Sequence, residues 1–170
     1  MTQQQTQDAV ALLKADHRTV EDLFSQFEKA SGDDRKEKIA KRICLELSVH
    51  AKIEEEIFYP ACEGKVEEDL LKEAYVEHDG AKVLIAEIMT GGASDEFYDA
   101  KVTVLQEQIE HHVGEEEKRM EGMFAQARKA GLDMDQLGIE LASRKADLIA
   151  EYEAGGLPKP ELTTAETTSV

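Results

Sequence analysis

The chain has 170 residues, of which 41% are apolar and 34% are charged, and its formal net charge is −17. A negative field of this size repels a nucleic-acid duplex or an anionic membrane, so we expect neither as a partner, and no apolar run is long enough to span a bilayer. The N-terminal stretch MTQQQTQDAV lacks the basic start and the apolar stretch of a signal peptide, which makes the cytoplasm the expected location.

Apolar residues recur every three or four positions along the chain, which is the period of an α-helix. Glycine, serine and aspartate residues interrupt this pattern and divide it into five predicted helices. They span about residues 7–30, 35–63, 67–90, 95–130 and 134–154. Ser94, which Asp95 and Glu96 follow, is the expected N-cap of the fourth helix. No segment shows the alternating pattern of a β-strand.

Four long helices joined by short loops pack as antiparallel neighbours. The predicted fold class is therefore all-α: an up-down-up-down four-helix bundle with an additional C-terminal helix. We assign residues 1–155 to this domain and expect the tail, residues 156–170, to be disordered, because it is rich in threonine, proline and glutamate. The sequence leaves the oligomeric state open.

The five histidines separate into a group on apolar faces and one on a polar face. Four lie on the apolar stripe of a helix, one in each long helix, and a glutamate follows one turn later on the second and the fourth helix. These six residues are His17, His50, Glu54, His78, His112 and Glu116. The fifth histidine, His111, shares a polar face with Gln108 and Glu115, so we expect it to face solvent.

The four histidines of the apolar stripes are expected to meet in one layer, because similar numbers of residues separate them from the turns that join their helices. Burying two carboxylates costs several kcal/mol each without compensation, and these stripes contain no Lys or Arg. A bound cation compensates them directly. The simpler alternative is a bundle without metal, in which other polar groups satisfy these side chains.

Imidazole and carboxylate ligands without a thiolate suit iron, manganese or zinc, and six ligands are too many for one tetrahedral zinc ion. Two ions use the set naturally: the histidines of the first two helices bind one, those of the next two bind the other, and Glu54 and Glu116 bridge them. The ferritin-like arrangement requires a glutamate three residues before a ligating histidine. No histidine in this sequence has one, which excludes that arrangement.

The order His, His-x-x-x-Glu, His, His-x-x-x-Glu, with one element on each helix, resembles the hemerythrin-like (HHE cation-binding) family. The matching stretches are DHRTVEDLF, ELSVHAKIEEEIFYPA, EHDGAKVLI and EHHVGEEEKRM. The resemblance implies a centre of two non-haem iron ions with an oxo or hydroxo bridge, with manganese or zinc as less favoured metals. It also implies a small-molecule ligand: O₂, peroxide or nitric oxide.

The sequence departs from the oxygen-carrying hemerythrins on the third and fourth helices. Those proteins have a second histidine on the third helix, four residues from the first, where this chain has Lys82 or Ala74. Their fourth-helix carboxylate is an Asp five residues after the histidine, whereas Glu116 follows at four. One iron ion is thus left short of a protein ligand, and the weak candidates to fill its open position are Tyr59, Tyr75 and Glu46.

An open position on iron favours redox turnover, such as catalase-like decomposition of peroxide in oxidative-stress defence, over stable carriage of oxygen. The alternative is a non-catalytic module that senses iron or oxygen or holds iron. The sequence does not decide whether the chain is an enzyme.

Overall fold

The computed structural model describes residues 7–165, and these residues contain six helices and no strand. Helix α1 is Ala9–Lys29, α3 is Glu68–Gly91, α4 is Tyr98–Glu117, α5 is Met123–Lys129 and α6 is Met134–Gly155. Helix α2 is continuous but changes its winding: Asp33–Ile53 is α-helical, Glu54–Phe58 is a π-helix, and Tyr59–Cys62 is α-helical again. The predicted all-α fold class is confirmed.

The π-helical turn of α2 shifts the face that the helix buries. The backbone N–H of Tyr59 donates to the carbonyl of Glu54, five residues earlier, so this turn holds one residue more than an α-helical turn. Phe58 and Cys62 are therefore fully buried. The regular helical period assigns Ile57 to the core instead, and its side chain is only partly buried.

The fourth predicted helix, about residues 95–130, is in fact two helices. Helix α4 begins three residues later than predicted, since the N–H of Tyr98 donates to the carbonyl of Asp95 in a turn, at 3.0 Å. Phe97, and not Ser94, is its N-cap residue.

At its other end α4 stops at Glu117, and residues 118–122 form a turn before α5. The N–H of Gly122 donates to the carbonyl of Lys118 at 2.8 Å, and a Cβ atom at Gly122 would lie 2.6 Å from backbone atoms of Lys118. Met120 adopts a φ of 70° in this turn and is 82% exposed. A continuous helix over residues 95–130 would instead bury Met120, because it lies four residues after Glu116 on the same helical stripe.

The long helices α1–α4 form the bundle, and α6 packs across α1 and α2. The apolar core consists of two clusters. One contains residues such as Leu13, Ile53 and Phe124, and the other contains residues such as Phe24, Ile43 and Leu105. On α1 and α3 a histidine, His17 or His78, lies between residues of the two clusters, and on α2 His50 lies next to their boundary, so a polar layer divides the core.

The segment after α6 returns to the bundle. Leu157 packs against both apolar clusters, and the backbone N–H groups of Thr163 and Thr164 donate to the carboxylate of Asp79 at 2.8 and 2.7 Å. We expected residues 156–170 to be disordered; Leu157, Thr163 and Thr164 of this tail instead make these contacts, since Asp79 supplies acceptors that composition does not reveal. Residues 166–170, like residues 1–6, lie outside the described residues. Over the described part of the chain, no helix has the length and the apolar character to cross a membrane.

Candidate metal centre

The six side chains that the sequence singled out come together in the polar layer of the bundle. Each residue is at most 6% exposed. They form two groups that share one carboxylate: ligand atoms of His17, His50, Glu54 and Glu116 lie within 4.8 Å of one another, and so do those of Glu54, His78 and His112. We refer to these groups as the first half and the second half of the site.

Each of the two glutamates has one carboxylate oxygen near an imidazole of the first half and the other oxygen near an imidazole of the second half. Glu54 Oε1 lies 3.0 Å from His50 Nε2, and Glu54 Oε2 lies 3.1 Å from His78 Nε2. Glu116 Oε2 lies 3.2 Å from His17 Nε2, and Glu116 Oε1 lies 3.3 Å from His112 Nε2. This division of the oxygens is what two carboxylates require in order to bridge two cations.

A tyrosine hydroxyl lies in the middle of the second half. Tyr59 Oη is 3.0 Å from Glu54 Oε2, 2.8 Å from Glu116 Oε1, 3.1 Å from His78 Nε2 and 3.3 Å from His112 Nε2. The π-helix produces this position, because it brings residue i+5 to the place above Glu54 that i+4 takes in an α-helix.

Of the three residues that the sequence offered for the open position, only Tyr59 contacts the site. The ring of Tyr75 packs edge-on against the ring of Tyr59, with centroids 5.2 Å apart, and Glu46 pairs with Arg42. Sequence reasoning gave Tyr59 no more weight than the other two, because a regular helix turns position 59 away from Glu54 and His50.

Each of the four histidines also contacts a second carboxylate through its other ring nitrogen. The Nδ1 atoms of His17, His50, His78 and His112 lie 2.7, 3.1, 3.0 and 2.6 Å from Glu117, Asp16, Glu55 and Glu77, respectively. When Nδ1–H donates to the carboxylate, the lone pair of Nε2 points into the site, which is the arrangement of a ligating imidazole. Nothing in the sequence pattern distinguishes these outer carboxylates from the other acidic residues.

The outer carboxylates have cationic or titratable partners of their own. Arg18 Nη2 lies 2.7 Å from Glu117, Lys82 Nζ lies 2.9 Å from Glu55, and Lys145 pairs with Asp16. The partner of Glu77 is His111, at 3.2 Å, with a side chain that is 66% exposed, as its polar helical face predicted. Lys82, four residues after His78, thus supports a carboxylate that orients His78.

Several polar atoms of the site lie close together, and the protein groups around them do not satisfy their hydrogen-bonding capacity. Glu54 Oε1 and Glu116 Oε2 are buried and form no hydrogen bond with any described residue. The Nε2 atoms of His17 and His50 are 3.1 Å apart, and those of His78 and His112 are 3.2 Å apart. Two lone pairs at this distance repel unless a proton or a cation lies between them, so the donor set fits metal ions.

The electrostatics of the site also favour added positive charge. Burial alone lowers the pKa of His50, but Glu54 and Asp16 outweigh it and raise that pKa to about 10. Burial and the nearby Glu54 raise the pKa of Glu116, but His112 and His17 outweigh them and hold it at about 2. The pKa of His112 is likewise held well above its usual value, chiefly by Glu116 against the effect of burial. In the metal-free protein, protons on His50 and His112 therefore supply positive charge beside the carboxylates.

A family model described as "Hemerythrin HHE cation binding domain" matches residues 8–124. The crystal structure of an HHE cation binding domain-containing protein from Mycobacterium kansasii, the Rv2633c homolog, superposes with a TM-score of 0.73 and 20% sequence identity, covering 89% of this chain and 95% of that one. This likeness shows the fold.

A curated protein with detectable sequence similarity is a DNA nickase from Nostoc sp. (strain PCC 7120 / SAG 25.82 / UTEX 2576), which is 26% identical over 109 residues. The match covers 64% of this chain but 31% of the nickase, so this chain spans only about a third of the length of that relative.

Proposed function

Because this chain belongs to the hemerythrin HHE cation-binding domain family, we propose that His17, His50, Glu54, His78, His112 and Glu116 hold two non-haem iron ions, joined by an oxo or hydroxo bridge. We propose further that the centre binds peroxide, O₂ or nitric oxide and serves chiefly to handle peroxide. The observation that carries this proposal is the division of two fully buried carboxylates between two groups of imidazoles.

The ligand chemistry is consistent with iron. The site offers imidazole nitrogens and carboxylate oxygens and no thiolate, a set that suits iron, manganese or zinc. Family membership favours iron among the three. Bound iron would supply electron transfer and Lewis acidity; the residues of the chain position the ligand and manage its protons.

The protein's own groups favour turnover of a small oxidant over its stable storage. The four imidazoles leave each ion with only two nitrogen ligands from the chain. Burial, together with Glu116 and Glu54, holds the pKa of Tyr59 well above its usual value, so its hydroxyl keeps a proton near neutral pH. This O–H, 2.8 Å from Glu116, is a proton donor in the second half of the site, where an oxidant that gains electrons also needs protons.

The experiment that tests this proposal combines metal analysis with kinetics. Protein purified without chelators is analysed for metals and its optical spectrum is recorded in air, and peroxide consumption is then followed. We expect about two iron ions per chain and loss of peroxide with accompanying changes in the near-UV bands. Protein without stoichiometric metal refutes the binding site. Iron-loaded protein that neither consumes peroxide nor changes its spectrum refutes the peroxide role.

A second candidate function is the sensing of iron or oxygen without catalysis, and one contact favours it. Lys145 on α6 pairs with Asp16, which contacts Nδ1 of His50, so the docking of α6 is linked to the site. We expect metal loading to slow proteolysis within α6 if the chain is a sensor. Identical digestion of metal-free and loaded protein would speak against this function.

The activity in the name of the Nostoc relative is not part of the proposal. The matched region is less than a third of that protein. The net charge of −17 also opposes binding to DNA.

A further inference from the structure

A cavity of about 710 Å³ leads from the surface of the bundle to the proposed metal centre. All four histidines of the site line it, and so do residues 157–163 of the C-terminal segment. Its lining between α2 and α3 includes the apolar residues Leu47, Ala81 and Ile85. A peroxide molecule is comparable in size to one or two waters, at roughly 30 Å³ each, so the cavity is far larger than such a ligand needs.

The C-terminal segment is fastened to α3 at one carboxylate. Asp79 accepts hydrogen bonds from the N–H groups of Thr163 and Thr164, at 2.8 and 2.7 Å, and from the hydroxyl of Thr164, at 2.6 Å. Asp79 is only 6% exposed although it lies on the outer part of a helix, since the segment covers it. We call residues 157–164 the strap.

Further contacts hold the strap along its length. Leu157 packs against both apolar clusters at its start. Lys82 donates to the carbonyl of Glu161 at 3.0 Å, and the hydroxyl of Thr163 donates to Glu55 Oε2 at 3.0 Å. Pro158 and Pro160 restrict the backbone of the strap, which lowers the entropy that it loses on docking. The strap is thus one wall of the cavity, and Asp79 is its main fastening point.

We propose that Asp79 is a specificity-determining residue: by fastening the strap across the cavity, it lets small oxidants reach the metal centre and excludes bulky ones. The inference rests on the proposed function for the identity of the centre. This role explains why the strap carries polar groups that bind the buried carboxylate of Asp79 and the carboxylate of Glu55 beside His78.

The first test compares two oxidants of different size on the iron-loaded, full-length protein. Rates with hydrogen peroxide and with cumene hydroperoxide are measured for the wild type, for Asp79→Ala and for the milder Thr164→Val. We expect the ratio of kcat/KM for cumene hydroperoxide to that for hydrogen peroxide to rise about tenfold or more in Asp79→Ala, because losing hydrogen bonds to a charged group shifts an equilibrium by at least that factor. Thr164→Val should shift the ratio in the same direction, but less.

The matched control is Asp99→Ala. Asp99 is 61% exposed, pairs with Lys36 at 2.6 Å, and lies outside the cavity lining. The Asp99→Ala substitution removes the same charge as Asp79→Ala but affects no contact of the strap. The ratio of kcat/KM for cumene hydroperoxide to that for hydrogen peroxide should therefore stay at the wild-type value. An equal change in Asp99→Ala and Asp79→Ala would overturn the inference, because the effect would then come from net charge.

A second readout does not depend on activity. The protein is loaded with Co²⁺, and the rates at which a small and a bulky chelator extract the metal are compared. We expect Asp79→Ala and Thr164→Val to accelerate extraction by the bulky chelator selectively. If hydrogen peroxide is consumed but neither the oxidant ratio nor the extraction rates change, the inference is wrong and the proposed function stands. If no peroxide is consumed, the proposed function fails, and size-dependent extraction still decides the role of the strap.

Discussion

Tyr59→Phe is the most informative single substitution, since it removes one oxygen atom from the centre of the site and leaves the ring in place. The hydroxyl lies 2.8 Å from Glu116 Oε1 and 3.0 Å from Glu54 Oε2, and these two residues are 1% and 0% exposed. It carries one proton and so donates one hydrogen bond at a time. A hydrogen bond to a buried charged group contributes about 1.5–3 kcal/mol, so the metal-free variant should lose that amount in free energy of unfolding.

The assay is urea unfolding of the metal-free protein, followed by circular dichroism, together with the iron content of loaded protein. Tyr75→Phe is the matched control: its ring packs against that of Tyr59, but its hydroxyl has no hydrogen bond within residues 7–165. We expect the control to change the free energy of unfolding by less than about 0.5 kcal/mol.

Two results would refute this reasoning about Tyr59. Equal losses in free energy of unfolding in Tyr59→Phe and Tyr75→Phe would mean that the hydroxyl of Tyr59 forms no stabilising hydrogen bond with the carboxylates. A metal-free Tyr59→Phe protein more stable than the wild type would mean that the contacts of the hydroxyl with two carboxylates and two imidazoles are repulsive in sum.

Three further outcomes follow from the structure. His112→Ala should release metal, whereas His111→Ala should leave the metal content unchanged, because the exposed His111 ring contacts only an outer carboxylate; equal losses in metal analysis would contradict the assignment of the inward face. Met120→Gly should raise the free energy of unfolding by about 0.5–1 kcal/mol, since an exposed L-residue at a φ of 70° is strained, and a lower urea midpoint would contradict this. The pKa of His50 rises from 6.5 in the unfolded chain to about 10 in the metal-free fold, so its contribution to stability is complete below pH 6.5 and is lost as the pH rises towards 10. The urea midpoint of metal-free protein should therefore fall between pH 7 and pH 10, and a midpoint that rises over this range would show that His50 is neutral in the fold.

The sequence was sufficient to place the six candidate ligands, because their helices have clear apolar stripes. A histidine or glutamate in such a stripe has to face the core, and His50 and Glu54 were found in this way. The same periodicity misplaced Met120, since an apolar residue in a tight turn continues the helical pattern without being part of it.

Other features of the site have no signal in a single sequence. The π-helical turn brings Tyr59 to the centre of the site, and the apolar periodicity of the sequence does not distinguish this turn from an α-helical one. The outer carboxylates sit among 37 acidic residues, and only the positions of the neighbouring helices show which four touch an imidazole. The docking of the strap could not be predicted because Asp79, to which it binds, is distant in the chain.

The division of the core into two apolar clusters affects how parts of the protein open locally to solvent. Without metal, the polar layer joins the clusters through contacts that compete for protons, so amide hydrogens on either side can exchange with solvent through separate local openings. Two cations held by all four helices would tie the clusters into a single cooperative unit. Metal loading would then slow amide exchange at both ends of the bundle, far from any ligand.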